Sequence, residues 1–127
     1  MKKLAVLFIY AITCIITSFS CIYIDNNGNT SFSISESPHT FSMNADFNKG
    51  KTRAVEEYLD KRIGGRSNIS FVNSRIEGTI ALDDHTIFYI KKYPGFIEIE
   101  LDKDKNSEVA YRRIKSMCEG IKRVLTK

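Results

Sequence analysis

The residues of this chain whose types could support chemistry lie in two short stretches, 83–85 and 98–100. Asp83, Asp84 and His85 place two carboxylates beside an imidazole, a combination that can transfer protons or bind a metal ion. Glu98 and Glu100 alternate with apolar residues, so on a strand they share one face, about 6 to 7 Å apart. Paired carboxylates can act as acid and base where a cleft raises the pKa of one of them.

The surroundings of both stretches favour solvent-exposed positions over a catalytic or metal site. The chain has two histidines, His39 and His85, and they lack the short spacing that is typical of metal ligands. The polar run that contains His85 is typical of a hairpin turn. On an alternating strand, Glu98 and Glu100 are expected to face water, with Lys91 or Lys92 opposite them. We therefore predict no catalytic residue, no cofactor and no metal, and a protein that is not an enzyme.

Three aromatic residues close to one turn are the best candidate for a partner surface. Tyr89, Tyr93 and Phe96 lie on either side of the Pro94-Gly95 turn. An exposed aromatic patch on a small domain is typical of a binding surface. The alternative is that the three rings cover one edge of the hydrophobic core.

The first twenty residues have the three parts of an export signal. Two lysines precede an apolar run from Leu4 to Ile16, and small residues dominate positions 17–20. Positive charge retains the N-terminus in the cytoplasm, and the apolar run enters the membrane as a helix. We predict a signal peptide over residues 1–20 and a domain that works outside the cytoplasm.

Three outcomes for this signal are open. A cysteine directly after the predicted cut, Cys21, resembles the lipobox of bacterial lipoproteins, which implies a lipid on Cys21 and a membrane-anchored protein in the periplasm or at the cell surface. Ser18 and Ser20 equally suit an ordinary signal peptidase, which would release a soluble periplasmic or secreted protein. Residues 4–24 carry no charge and are long enough to span a bilayer as an uncleaved helix.

Charge and cysteine content exclude some functions for the exported part. After a cut before Cys21, 17 basic and 15 acidic residues remain, because two of the 19 lysines and arginines leave with the signal. This balance lacks the strong basic excess that nucleic acids require, and Glu108 makes the start of the last helix acidic, so no nucleic-acid partner is predicted. Cys118, on the apolar side of that helix, is expected to be buried and unreactive. A Cys21–Cys118 disulfide is an alternative if Cys21 carries no lipid.

Hydrophobic periodicity divides the rest of the chain into a connector and one small domain. Residues 21–37 are rich in Asn and Ser, with one turn-forming glycine at Gly28, and suggest a polar tether or a weak hairpin. Over residues 38–127, alternating and helical patterns predict a strand, a helix that stops at Gly64-Gly65, three further strands and a last helix. The fold class is α+β: a two-layer sandwich with an antiparallel sheet of four to five strands, two helices on one face, and the order β-α-β-β-β-α.

These observations predict a non-catalytic binding module of the bacterial cell envelope, lipid-anchored and directed at a protein partner, with an inhibitor or immunity-type protein as one form of it. The alternative of another class is a small periplasmic enzyme that uses carboxylate or histidine residues. A third hypothesis is a structural protein that anchors the envelope. Contact with the membrane is expected through the lipid or the uncleaved helix.

Overall fold

The computed structural model describes residues 19–24, 29–67 and 69–127. Residues 1–18, which hold most of the predicted signal peptide, lie outside the described residues, as do residues 25–28 and 68. The strands are β1 Phe19–Ile24, β2 Ser31–Glu36, β3 Thr40–Asp46, β4 Ile76–Ala81, β5 Ile87–Tyr93 and β6 Phe96–Asp102. The two main helices are α1 Thr52–Leu59 and α2 Glu108–Leu125.

The strands form one antiparallel sheet in the order β1-β2-β3-β6-β5-β4, so the predicted α+β class is confirmed. The sheet has six strands instead of the predicted four to five, and three strands precede the first helix instead of one. The reason is the 21–37 region, where β2 and the larger part of β1 lie. Phe32 of β2 is 2% exposed and Ile34 packs against the core, so this serine-rich segment still contributes an apolar side to the sheet.

The chain is built from two βββα halves that the amino-acid sequence does not display as a repeat. In the first half β2, β3 and α1 begin at Ser31, Thr40 and Thr52, and in the second half β5, β6 and α2 each begin 56 residues later. β3 and β6, the last strands of the two halves, pair at the centre of the sheet. The halves share strand alternation and similar strand lengths, but α1 has 8 residues and α2 has 18. The repeat is therefore visible in the order of the elements and not in residue identity.

Both helices cover the same side of the sheet and run antiparallel. Lys51 Nζ, at the start of α1, donates to the carbonyl of Leu125 at the end of α2 over 2.6 Å. The helices and the inward residues of β2 to β6 enclose a single core. Its fully buried members include Phe41, Met43, Leu59, Phe71, Ile90, Ile97, Ile99, Leu101, Ile114, Met117 and Ile121.

Helix ends and turns follow the sequence with one correction. The Ser107 hydroxyl caps α2 by accepting from the Ala110 N–H over 3.0 Å, as serine commonly does at a helix start. Gly95 has a φ of 83° in the predicted turn after Pro94. The expected stop at Gly64-Gly65 is wrong: Gly65 keeps a φ of −70°, and helical backbone continues through a π-helical turn, Asp60–Gly64, to Ser67. Glycine permits the left-handed conformation without requiring it.

No helix in the described part of the chain is both long enough and apolar enough to cross a membrane. The apolar run from Leu4 to Ile16, on which the predicted membrane entry depends, lies outside these residues.

Candidate functional site

One face of the sheet carries the helices, and the other is left open to solvent. Along β3, β5 and β6, every second residue is buried against the helices, and the residues between them are exposed or half-buried. Because strand side chains alternate between faces, these intervening residues share one surface, which we call the open face. It consists of Ser31, Ser33 and Ser35 of β2, Thr40, Ser42, Asn44 and Asp46 of β3, Glu77, Thr79 and Ala81 of β4, Ile87, Tyr89, Lys91 and Tyr93 of β5, and Phe96, Glu98, Glu100 and Asp102 of β6.

The structure brings the three aromatic residues predicted as a partner surface onto this open face. Tyr93 and Phe96 are opposite each other in the β5–β6 register, and their rings stack with centroids 4.7 Å apart and planes 13° from parallel. The guanidinium of Arg75 lies 5.3 Å from the Tyr93 ring centroid. Tyr89 lies on the same strand face as Tyr93. We refer to Tyr89, Tyr93 and Phe96 as the aromatic strip.

Carboxylates flank the aromatic strip. Glu98 stands opposite Lys91, as predicted, and Glu100 stands opposite Tyr89. Glu77 of β4 faces Lys91 from the other side. Among the described residues, none of the carboxylates of Asp46, Glu77, Glu98 and Glu100 makes an ion pair within 4.0 Å.

The Tyr89 phenol lies among several carboxylates, which affect its pKa. Partial desolvation raises the pKa of the Tyr89 phenol, and the charges of Glu77, Glu98 and Glu100 raise it further. Lys91 acts in the opposite direction. Since these groups influence the phenol together, the carboxylates and the aromatic strip form one electrostatic environment.

The open face is shallow at both ends of the strip. A hollow of about 250 Å³ borders Thr79, Tyr89 and Glu100. A wider one of about 590 Å³ borders Arg75, Glu77, Lys91 and Tyr93 at the β4 side. Such a surface suits contact with another macromolecule more than enclosure of a small ligand, because small-ligand sites bury most of the ligand surface in a cleft.

The aspartates of the β4–β5 turn, residues 83–85, contact arginines of the helical layer. Arg113 of α2 donates to the Asp84 carboxylate, and Arg66 lies 3.7 Å from Asp83. His85 is exposed and occupies a turn position with a φ of 69°. These partners give the two aspartates a structural role in the folded chain.

His39 is paired with an acid distant in sequence and is not brought together with Asp46. His39 Nδ1 pairs with Asp104 Oδ2 over 2.8 Å, and both side chains are largely exposed. Asp46 is at the opposite end of β3 from His39, about 20 Å away by strand rise. Within residues 19–24, 29–67 and 69–127, no group of three or more His, Cys, Asp or Glu residues is arranged to hold a metal ion.

A buried ion pair is the polar cluster that sequence reasoning missed. Lys92 Nζ lies 2.5 Å from Glu56 Oε2, with side-chain exposures of 1% and 6%. Lys92 also donates to the Ser74 carbonyl, and Glu56 Oε1 accepts from the Asn73 N–H over 3.2 Å. Glutamate is rarely buried, so nothing in the local pattern of α1 indicates that Glu56 lies inside the core. Strand alternation offers a signal, because Lys92 follows Phe88 and Ile90 at two-residue steps.

Cys118 is a free thiol with no exposed surface. Desolvation, and then the nearby charge of Glu119, raise the pKa of the Cys118 thiol. The thiolate is the reactive form of cysteine.

Cys118 is therefore expected to resist thiol reagents in the native protein and to react only as fast as the protein opens. The measurement is labelling with a soluble maleimide, with the modified peptide identified by mass spectrometry, in buffer and in denaturing urea. Rapid labelling of Cys118 in buffer would contradict the burial described above.

Comparison with known proteins gives no match: no protein-family model, no curated protein and no solved structure is significantly similar to this chain.

Proposed function

We propose that this chain is an exported, lipid-anchored binding module of the bacterial cell envelope, which contacts a protein partner through the open face. The observation that carries the proposal is the aromatic strip on the uncovered side of the sheet. Stacked tyrosine and phenylalanine side chains supply large contact area at low conformational cost, and aromatic residues are enriched at protein interfaces. For the alternative of an acid-base enzyme, no contact of His85, Glu98 or Glu100 among the described residues gives similar support.

The position of Cys21 supports a short connection between the lipid and the domain. Cys21 is in β1, where it is in register with Ile34 of β2, and β1 is an outer strand of the sheet. A cut before Cys21 would therefore begin the mature chain inside this outer strand. A lipid on that residue would hold the domain next to the membrane, within reach of partners in the same envelope layer.

Anchoring is tested on the protein recovered from its native host. We expect an intact mass that corresponds to a chain starting at Cys21 with diacyl or triacyl addition, and recovery in the membrane fraction. A chain that starts at Cys21 without a lipid contradicts anchoring and leaves export standing. An unprocessed Met1 contradicts cleavage and indicates an uncleaved segment.

The binding surface is tested by crosslinking in native membranes, with the partner identified by mass spectrometry. The double substitution Tyr93→Ser and Phe96→Ser is expected to abolish the crosslink that the unmodified chain forms. Val109→Ser is the matched control, because Val109 is 67% exposed on α2, away from the open face. Retention of the crosslink in the double variant would contradict the proposal.

The same assay distinguishes the enzyme alternative. His85→Ala should leave the crosslink to the aromatic strip detectable and the fold intact. Loss of the cellular phenotype in His85→Ala, with the partner crosslink unchanged, would favour a catalytic role for the 83–85 stretch.

A further inference from the structure

The near-neutral charge of the chain hides a separation between its two layers. The helical segments 49–67 and 108–127 hold twelve lysines and arginines against five aspartates and glutamates. The remaining described residues, which form the sheet and its connections, hold five basic against nine acidic residues. The net charge of the whole chain therefore underestimates the electrostatic potential at each surface. A partner experiences mainly the charges of the layer that it approaches.

Within the acidic layer, the open face holds carboxylates that the fold does not use. Asp46, Glu77, Glu98 and Glu100 have no ion-pair partner among the described residues. Lys91, between Glu77 and Glu98 in the register, is the basic residue on the strands of this face. Carboxylates outnumber cations on the strands of this face, and they flank the aromatic strip. Two further cations lie at its margins: the Arg75 guanidinium, 5.3 Å from the Tyr93 ring centroid, and Lys105, which borders the hollow beside Glu100.

The spacing of these groups matches one kind of ligand. Glu98 and Glu100 share a strand face with one residue between them, so they repeat at about 6.8 Å. An extended peptide presents alternate side chains at the same interval. Lysines at alternate positions of such a peptide could therefore face Glu98 and Glu100 together while its chain crosses Tyr89, Tyr93 and Phe96. Aromatic rings add cation–π attraction for the same groups.

We infer that the partner of the open face presents an extended segment with lysine or arginine at alternate positions, held by Glu98 and Glu100 beside the aromatic strip. This inference rests on the proposed function, because it specifies the chemistry of the partner at the same surface. Charge complementarity selects this occupant over an acidic or neutral segment.

Lys91 opposes the proposed ligand from inside the site. It is half-buried on the open face, and its ammonium partly neutralises the carboxylates on either side. Removal of that charge should strengthen the attraction for a cationic segment. A purely structural role for the acidic residues gives no reason for Lys91→Gln to increase affinity.

The test measures binding of a short synthetic peptide that alternates Lys and Thr to the full purified chain, by fluorescence anisotropy at low ionic strength. A peptide with Glu in place of Lys is the probe control. Glu98→Gln together with Glu100→Gln is expected to weaken binding of the Lys peptide roughly tenfold, as the summed effect of two exposed charge contacts. Lys91→Gln is expected to tighten it by roughly threefold for one such contact.

Glu119→Gln is the matched control, because it removes an exposed carboxylate from α2 on the helical layer. It is expected to leave the affinity unchanged. The inference is overturned if the Glu98 and Glu100 double variant binds the Lys peptide as tightly as the unmodified chain, if Glu119→Gln weakens binding equally, or if the Glu peptide binds as well.

Two further outcomes separate this inference from its premise. If a native crosslink is lost in Tyr93→Ser with Phe96→Ser but kept in the glutamine double variant, the binding module stands and its cationic partner is wrong. The basic helical layer of a second copy is the other candidate occupant. Concentration-dependent association in sedimentation, abolished by the glutamine double variant, together with no binding of the Lys peptide would assign the open face to self-association and overturn the inference.

Discussion

Replacing Lys92 with Met is expected to lower the free energy of unfolding by about 3 to 5 kcal/mol, because it leaves the carboxylate of Glu56 buried without its cation. The two side chains are 1% and 6% exposed, and their charged atoms are 2.5 Å apart. The measurement is equilibrium unfolding in urea followed by circular dichroism. The loss should appear as a lower transition midpoint with an unchanged slope.

The neighbouring residue supplies the control for this prediction. Lys91→Met makes the same chemical change one residue earlier on the open face, where we expect an effect within about 0.5 kcal/mol. Adding Glu56→Gln to Lys92→Met should recover more than half of the loss, because the amide removes the buried charge and keeps an acceptor for the Asn73 N–H. Equal destabilisation by Lys91→Met and Lys92→Met would show that the burial of Lys92 is not the cause.

Gly120→Ala is expected to destabilise the protein by about 2 kcal/mol, although alanine is normally the better helix former by about 1 kcal/mol. Gly120 is buried in α2, and a Cβ built on it overlaps the hydroxyl and ring of Tyr58 from α1. Overpacking of this kind costs about 1 to 3 kcal/mol, because stiff side chains must leave their preferred positions. Urea unfolding of the single variant provides the measurement.

A double-mutant cycle isolates the contact between the two helices. In a Tyr58→Ala background the ring is absent, so Gly120→Ala should become neutral or stabilising through helix propensity. The Tyr58 hydroxyl is buried without a hydrogen-bond partner among the described residues, so Tyr58→Phe should have little effect on stability. If Gly120→Ala costs the same in both backgrounds, the close approach of α1 and α2 at this point is not its cause.

The Lys92 prediction also bears on the binding surface, because Lys92 belongs to β5. The ion pair of Lys92 connects β5 to α1 and to the backbone at Ser74. Because strand side chains alternate, holding Lys92 inward fixes Tyr89, Lys91 and Tyr93 outward. Loss of the ion pair is therefore expected to destabilise the core and also to make the outward orientation of the β5 side chains on the open face less fixed.

For the candidate site, the sequence pattern correctly predicted those features that depend on a single strand or a single turn. The alternation of Ile97, Ile99 and Leu101 with Glu98 and Glu100 predicted which side of β6 faces water, and the structure agrees. The glycine after Pro94 predicted the turn that places Tyr93 opposite Phe96. Partners from distant parts of the chain, such as Arg113 for Asp84, could not be read from local spacing.

The amino-acid sequence by itself determined the α+β class and the outward side of β6, because each follows from periodicity within a few residues. Tertiary structure alone decided that β2 widens the sheet, that two βββα halves meet at β3 and β6, and that Lys92 and Glu56 share the core. These features depend on pairings between residues far apart in the chain, where burial of common apolar surface outweighs local preference.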